Sequence, residues 1–191
     1  CGNGCFTIAL AQNFRKVVAT EMSKSSVALA RENVALNHVT NVRVAKLTAE
    51  DFVEVFEGTR EFQRLRDACI DIPPQHKQQP LIDTPLSLKV DVNEKSAAEL
   101  QNEKVMTFDR LRTLFVDPPR AGLDETCRRL ASQFERVVYV SCNPETLARD
   151  CKYLSRTHDL TRLAAFDQFP YTPHLEAGVV LEKKKNTDIK C

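Results

Sequence analysis

The run Arg136-Val137-Val138-Tyr139-Val140 does most to limit what this chain can become. β-branched and aromatic residues suit a pleated, half-buried surface. Ser141-Cys142-Asn143-Pro144 follows at once, without a linker. Proline is tolerated in the first turn of a helix, and the pattern from Pro144 to Leu154 is helical. A strand that feeds directly into a helix is half of a βαβ unit. The same order recurs upstream. Thr113-Leu114-Phe115-Val116 reads as a fully apolar strand core. It ends in Asp117-Pro118-Pro119-Arg120 and leads to a helix from Leu123 to Phe134, with Asp124 and Glu125 favouring the helix N-terminus. Open α/β sheets bind ligands outside the carboxyl ends of their strands. Cys142 and Asp117 stand at such ends.

The rest of the chain keeps this alternation. Cys1-Gly2-Asn3-Gly4 is a glycine turn, and helical spacing from Phe6 to Phe14 brings Phe6, Ile8, Ala9, Leu10 and Phe14 forward as its apolar residues. Residues 16–20 form a strand ending at Glu21. Ser23 caps a helix from Lys24 to about Asn37, with a stripe of Val27, Leu29, Ala30, Val34 and Ala35. Val42 to Ala45 is a short strand. Thr48 opens a helix through Phe52, Val55 and Phe56 that stops at Gly58. Residues 67–107 break the rhythm: Pro73-Pro74, Gln78-Gln79 and Pro80 predict a loop, with weak helical character from Ser96 to Lys104. The predicted last strands, Leu160 to Phe166 and Gly178 to Leu181, form an antiparallel hairpin. The fold expected is α/β: a Rossmann-like, mostly parallel sheet with an antiparallel C-terminal strand.

Domain organisation follows. Cys1 begins inside a turn that a strand should precede, so residues 1–182 read as a domain without its first strand. Residues 67–107 read as an insertion and 183–191 as a flexible tail. The 191 residues suffice for one sizeable core. A net charge of +1 gives no bulk sign of nucleic acid. Any such sign must come from local clusters: Arg60, Arg64 and Arg66; Arg110, Arg112 and Arg120; Arg128 and Arg129. The seven cysteines are an odd number, outside any small loop-rich scaffold, and read as free cytosolic thiols. Cys1 and Cys5 lack a second pair and the histidines are scattered, so no metal is expected. No apolar stretch has the length of a membrane span. The expectation is a soluble, cytoplasmic monomer.

Several side chains suggest chemistry by type and place. An acidic residue at a strand end, as at Glu21, suits a ribose diol; it equally suits a helix cap. Gly2 and Gly4 allow backbone to approach a ligand closely, but the turn is not the full G-x-G-x-x-G cradle for a pyrophosphate. That disfavours a nicotinamide cofactor. Two prolines stiffen the loop that carries Asp117. Cys142 offers an intrinsically nucleophilic thiolate. Cys127 and Cys151 fall inside helices and read as inert.

Taken in order, Cys1-Gly2-Asn3-Gly4, Arg60-Glu61-Phe62-Gln63-Arg64-Leu65, residues 115–124, residues 141–147 and residues 166–179 resemble the RNA uridine-5 methyltransferases that use S-adenosyl-L-methionine. The 60–65 segment resembles the tRNA branch more than the ribosomal-RNA branch. The resemblance implies that Gly2, Gly4, Cys5, Glu21 and Asp117 bind the cofactor. It places Cys5 where the family has a cofactor-binding asparagine, and a thiol is a poor substitute for an amide. It makes Cys142 the nucleophile that adds to carbon 6 of uracil. Glu176, rather than His174, becomes the base that removes the proton on carbon 5, helped by partial burial. The residue after Pro119 is Arg120 rather than an aromatic, which argues against methylation of a base amine. The substrate implied is a uridine in the T-arm of tRNA. Arg60, Arg64 and Arg120 are then candidates for phosphates, and Phe62, Phe169 and Tyr171 for stacking on splayed bases. A ribosomal-RNA methyltransferase and a noncatalytic RNA-binding domain are the alternatives. A cytosine-5 enzyme would carry a second cysteine motif.

Overall fold

The computed structural model describes residues 1–60, 62, 65, 68, 70–71, 106–107, 111–168, 170–172 and 174–185. Arg64, Phe169, nearly all of the expected insertion at 67–107, and 186–191 of the expected tail lie outside the described residues. The chain forms two compact units, residues 1–109 and 110–191.

The first unit holds α1 (Cys5–Ala11), β1 (Val17–Glu21), α2 (Lys24–Leu36), β2 (Val42–Lys46), α3 (Ala49–Phe56), β3 (Ile70–Asp71) and β4 (Met106–Thr107). β1 and β2 pair in parallel, from Val17 opposite Val42 to Glu21 opposite Lys46, with α2 as the crossover. Local chemistry sets the helix starts. Ser23 Oγ accepts from Ser26 N at 3.4 Å. Thr48 and Asp51 form a reciprocal capping box, satisfying two orphan donors at once.

Two expectations fail here. The helix after the glycine turn stops at Ala11, not Phe14, because Asn41 Nδ2 donates to the carbonyls of Ala11 and Phe14 at 2.8 and 2.7 Å. Its inner face is not the aromatic one either. The buried positions are Gly4, Thr7 and Ala11, while Phe6 is half-exposed. A Cβ on Gly4 would lie 3.6 Å from Ala30 of α2. The glycine turn and α2 therefore meet here at ordinary van der Waals distance. Leu29 of α2 is likewise exposed, and the buried stripe is Val27 and Ala30. The resulting core joins Ala11, Ala19, Val27, Ala30, Val42 and Val44. β3 and β4 pair in parallel across more than thirty residues of chain, Ile70 opposite Met106; the expected loop thus has short strands at its two ends.

The second unit holds β5 (Thr113–Val116), α4 (Glu125–Ala131), β6 (Arg136–Ser141), α5 (Pro144–Leu154), β7 (His158–Phe166) and β8 (Glu176–Lys183). Its sheet runs β5-β6-β8-β7. β5 and β6 are parallel; β8 is antiparallel to both β6 and β7. The final hairpin is therefore as expected, but its second strand inserts beside β6 and leaves β7 outside. β5 is half-buried along its length and ends this sheet. α4 is shorter than the expected helix: Asp124 is its cap, with Oδ1 accepting from Cys127 N at 2.7 Å, and it ends at Ala131. α5 runs from Pro144 as expected, capped by Asn143. Val137, Tyr139, Leu147, Leu154, Val179 and Leu181 are buried. Each aliphatic side chain among them contributes about 1.5–3 kcal/mol through burial. β8 extends to Lys183, and Lys184 N donates to Thr157 O, so order reaches slightly into the expected tail.

Candidate active site

In the first unit the glycine turn and Glu21 are brought together. Gly2 and Gly4 both have positive φ, 54° and 92°, a region L side chains seldom adopt. Glu21 Oε2 accepts from Gly2 N at 2.8 Å and from the Cys1 nitrogen at 3.1 Å, while Oε1 accepts from Ser23 N at 2.8 Å. These bonds, the Ser23 amide foremost, hold its carboxyl at about 2 against an ordinary 4.5, although burial opposes the shift. The helix-cap reading of Glu21 is thus seen directly: it organises the turn and the start of α2, and it remains ionised. A carboxylate accepts about four hydrogen bonds, so capacity is left for a further hydroxyl. Asn33 Nδ2 donates to Asn3 O at 2.9 Å and ties the turn to α2. A Cβ on Gly2 would meet nothing within 4 Å, so this backbone is open to a ligand. A charged acceptor beside open glycine backbone fits a nucleoside ribose. Cys5 is the first residue of α1 and is exposed.

Arg60 and Phe62 also meet: the guanidinium carbon lies 4.5 Å from the ring centroid, and Arg60 Nη1 bonds Glu54 at 3.1 Å. Both members of that ion pair are about half exposed, so it adds little stability.

In the second unit the strand register gathers the chemistry. Ser141 is opposite Ala177 in the antiparallel β6–β8 pair. The ladder ends there: Cys142 follows Ser141 and Glu176, which pairs with Phe166 of β7, precedes Ala177, so both lie at this end of the sheet. Val116 is opposite Tyr139 in the parallel β5–β6 pair, so Asp117 leaves the sheet at that end too. Cys142 and Glu176 are half-buried. Asp117 is largely exposed, yet the packing around its carboxyl raises its pKa above the ordinary value. Ser141 is fully buried; its Oγ donates to Asn143 O and accepts from Asn143 N, each at 3.1 Å. This closes the backbone around Cys142.

The loop after Asp117 is fastened to α5. Asn143 Nδ2 and Thr146 Oγ1 donate to Arg120 O at 2.9 and 3.1 Å. Arg149 Nη2 donates to the carbonyls of Ala121 and Leu123 at 2.9 and 3.1 Å. The Arg120 side chain bonds His174 Nδ1 at 2.9 Å, joining the segment that precedes Glu176. Tyr171 is fully exposed at a positive φ of 65°. The residues that sequence reasoning missed are Tyr139, Arg149 and Asp150. A signal existed: Asp150 lies on the buried stripe of α5 with Leu147 and Leu154. Burial, with the neighbouring Asp150 charge, pushes the Cys151 thiol up to about 11, which agrees with its inert reading. Among the described residues no three His, Cys, Asp or Glu side chains are grouped to hold a metal, and no helix is long and apolar enough to cross a membrane.

Known proteins resemble this chain along its length. A family model described as tRNA (Uracil-5-)-methyltransferase matches residues 1–94 and 86–184. A tRNA/tmRNA (uracil-C(5))-methyltransferase of Aliivibrio fischeri is 43% identical over 184 residues, 96% of this chain and 41% of the relative. One from Vibrio cholerae is 43% identical over 186 residues, 97% of this chain and 41% of the relative. The chain thus spans about two fifths of these relatives' length. A solved tRNA (uracil-54, C5)-methyltransferase of Pyrococcus abyssi, in complex with S-adenosyl-L-homocysteine, superposes with a TM-score of 0.56 at 26% identity, over 94% of this chain and 32% of that one. An rRNA methylase from Streptococcus thermophilus, with TM-score 0.53 and 11% identity over 96% of this chain and 82% of that one, shares the fold.

Proposed function

The chain belongs to the tRNA (uracil-5-)-methyltransferase family, and from that premise we propose that it methylates carbon 5 of a uridine in the T-loop of tRNA through a covalent bond from Cys142. The observation that supports this reading is the shared sheet end: Cys142 follows Ser141, Glu176 precedes Ala177, the strand partner of Ser141, and Asp117 follows Val116.

Carbon 5 of uracil is a weak nucleophile. Addition of the Cys142 thiolate to carbon 6 breaks the 5,6 double bond and leaves an enolate whose carbon 5 is nucleophilic. S-adenosyl-L-methionine, when bound, supplies the methyl group; the glycine turn and Glu21 would hold it. Glu176 then accepts the proton from carbon 5, the double bond re-forms, and the thiolate departs. Asp117 stands on a loop stiffened by Pro118 and Pro119, suited to orienting cofactor or base. A T-loop uridine must leave its stack to reach Cys142, at a cost of a few kcal/mol. The exposed Tyr171 ring and the Arg60–Phe62 pair support stacking on splayed bases. Arg120, with its side chain on His174, is suited to a phosphate or to orienting the base. The relatives' names and the 60–65 segment favour tRNA. The Pyrococcus enzyme acts on uracil-54, and we take the same position as the target.

The test is covalent trapping. The fluorine of 5-fluorouridine cannot be removed as a proton, so the adduct persists. Full-length protein with 5-fluorouridine-substituted tRNA and S-adenosyl-L-methionine should give an RNA–protein adduct by mass spectrometry. Cys142→Ala should give none while still binding cofactor. An adduct that survives in Cys142→Ala removes this cysteine from its role.

A further inference from the structure

We propose that Asp150 is a positioning residue: its carboxylate locks the 117–123 loop onto α5 and so fixes Asp117 and Arg120 relative to Cys142. This rests on the methyl-transfer reading above.

Asp150 is completely buried, and a buried carboxylate is costly unless its oxygens are satisfied. Here they are, from four directions. Oδ2 accepts from Leu123 N and from Tyr139 Oη, each at 2.8 Å. Oδ1 accepts from Arg149 Nε at 3.0 Å and from Arg128 Nη1 at 3.4 Å. These partners come from different elements. Leu123 ends the loop that starts at Asp117. Tyr139 lies on β6, three residues before Cys142. Arg128 belongs to α4, and Arg149 is on α5 itself. Tyr139 stays a donor, since burial and the Asp150 carboxylate both raise its pKa.

The rest of the contact follows one face of α5. Asn143, Thr146 and Arg149 recur every three residues, and each donates to a loop carbonyl. Gly122 shows how closely the loop is pressed. A Cβ there would lie 2.7 Å from Arg149 Nη2 and from Asp150 Oδ2, and 3.0 Å from Thr146 Cβ, at a φ of +75°. A side chain there would be strained by that φ and would have to displace the buried Asp150 carboxylate. Because α5 starts two residues after Cys142, anything that lifts the loop off α5 moves Asp117 and Arg120 relative to the thiol. Displacements of an ångström at a reacting centre cost about a hundredfold in rate.

Neither oxygen of Asp150 faces an acceptor. In Asp150→Asn the amide N–H must point at one pair of donors, so one side of the lock opens while shape is kept. Gly122→Ala opens it from the loop side with the carboxylate intact. Tyr139→Phe removes a single hydroxyl. Trapping with 5-fluorouridine tRNA at saturating RNA and cofactor separates positioning from general stability. For Asp150→Asn and Gly122→Ala the adduct rate should fall about tenfold or more, a clearly larger factor than any rise in the dissociation constants for tRNA and cofactor that follows from moving Asp117 and Arg120. Tyr139→Phe should show a smaller loss of the same kind. The double variant Asp150→Asn/Gly122→Ala should be no slower than the worse single one, because both break one unit. Adduct rates equal to the parent's overturn the proposal. So does a loss of rate, RNA binding and cofactor binding in common proportion, the signature of a merely structural group. If Asp150→Asn does not fold, Tyr139→Phe decides by the same criteria. A parent protein that forms no adduct refutes the proposed function instead, whereas a trapping parent with unaltered variants refutes only the role of Asp150.

Discussion

Glu21→Gln is the substitution whose consequence the structure fixes most closely. The carboxylate accepts three N–H groups, from Gly2, Cys1 and Ser23. Gln keeps one oxygen, so an amide N–H must face donors at the other. The fall of the carboxyl from 4.5 to about 2 would correspond to about 3 kcal/mol of differential stabilisation. The side chain is still 17% exposed, and screening by that solvent lowers the figure to about 1–2 kcal/mol. The sign follows from linkage. The native carboxyl is held below its unfolded value, so the stabilisation is complete above about pH 4.5. It is lost as pH falls towards about 2, because the unfolded chain takes up the proton first. Urea titrations of the parent and of Glu21→Gln should differ by about 1–2 kcal/mol at about pH 7. Roughly half of that difference should be gone near about pH 3. A difference that is the same at both pH values, or absent at neutral pH, would refute the assignment of the low pKa to these amides.

Glu176→Gln should allow addition and methyl transfer yet stall proton removal, so a methylated enzyme–RNA adduct accumulates on mass spectrometry with unmodified tRNA. Free product at the parent rate would give the base role to another group. His158 is buried between Phe134 O and Thr157 Oγ1, and burial holds its pKa below 6.5. Its stabilisation is present above about pH 6.5 and declines as pH falls towards the native pKa, because only the unfolded chain readily takes the proton. His158→Gln should flatten that part of the stability profile; an unchanged slope would exclude His158 as its source.

Much of the chain was legible because its signals lie in consecutive residues. Ser23 before Lys24, Thr48 before Ala49 with Asp51, and Asn143-Pro144 before Glu145 satisfy orphan helix donors within a few positions, so sequence alone set those helix starts. The apolar runs at Thr113–Val116 and Arg136–Ser141 marked strands, and the side chains just beyond them marked Asp117 and Cys142. Glu176 had no comparable local signal. It came from the resemblance, and the pairing of Ser141 with Ala177 then put it at the same end of the sheet as Cys142. Arg64 and Phe169 fall outside the described residues.

What tertiary structure alone decided is which faces meet and at what distance. Periodicity put Phe6 and Leu29 on apolar stripes, but both are exposed, and the core of the first unit joins the smaller Ala11, Ala19, Val27 and Ala30 with Val42 and Val44. Alternation suggested a closing hairpin without saying that β8, the later strand, would lie against β6. Asp150 is the sharpest case. Its position between Leu147 and Leu154 was a visible anomaly on a buried stripe, yet a carboxylate there has no meaning until Leu123, Tyr139 and Arg128 arrive from three other places in the chain. Caps and strand propensities act through neighbours along the backbone, so the sequence carries them directly. A buried charge is stabilised by groups remote in sequence, and only their convergence in three dimensions determines whether it is a defect or a lock.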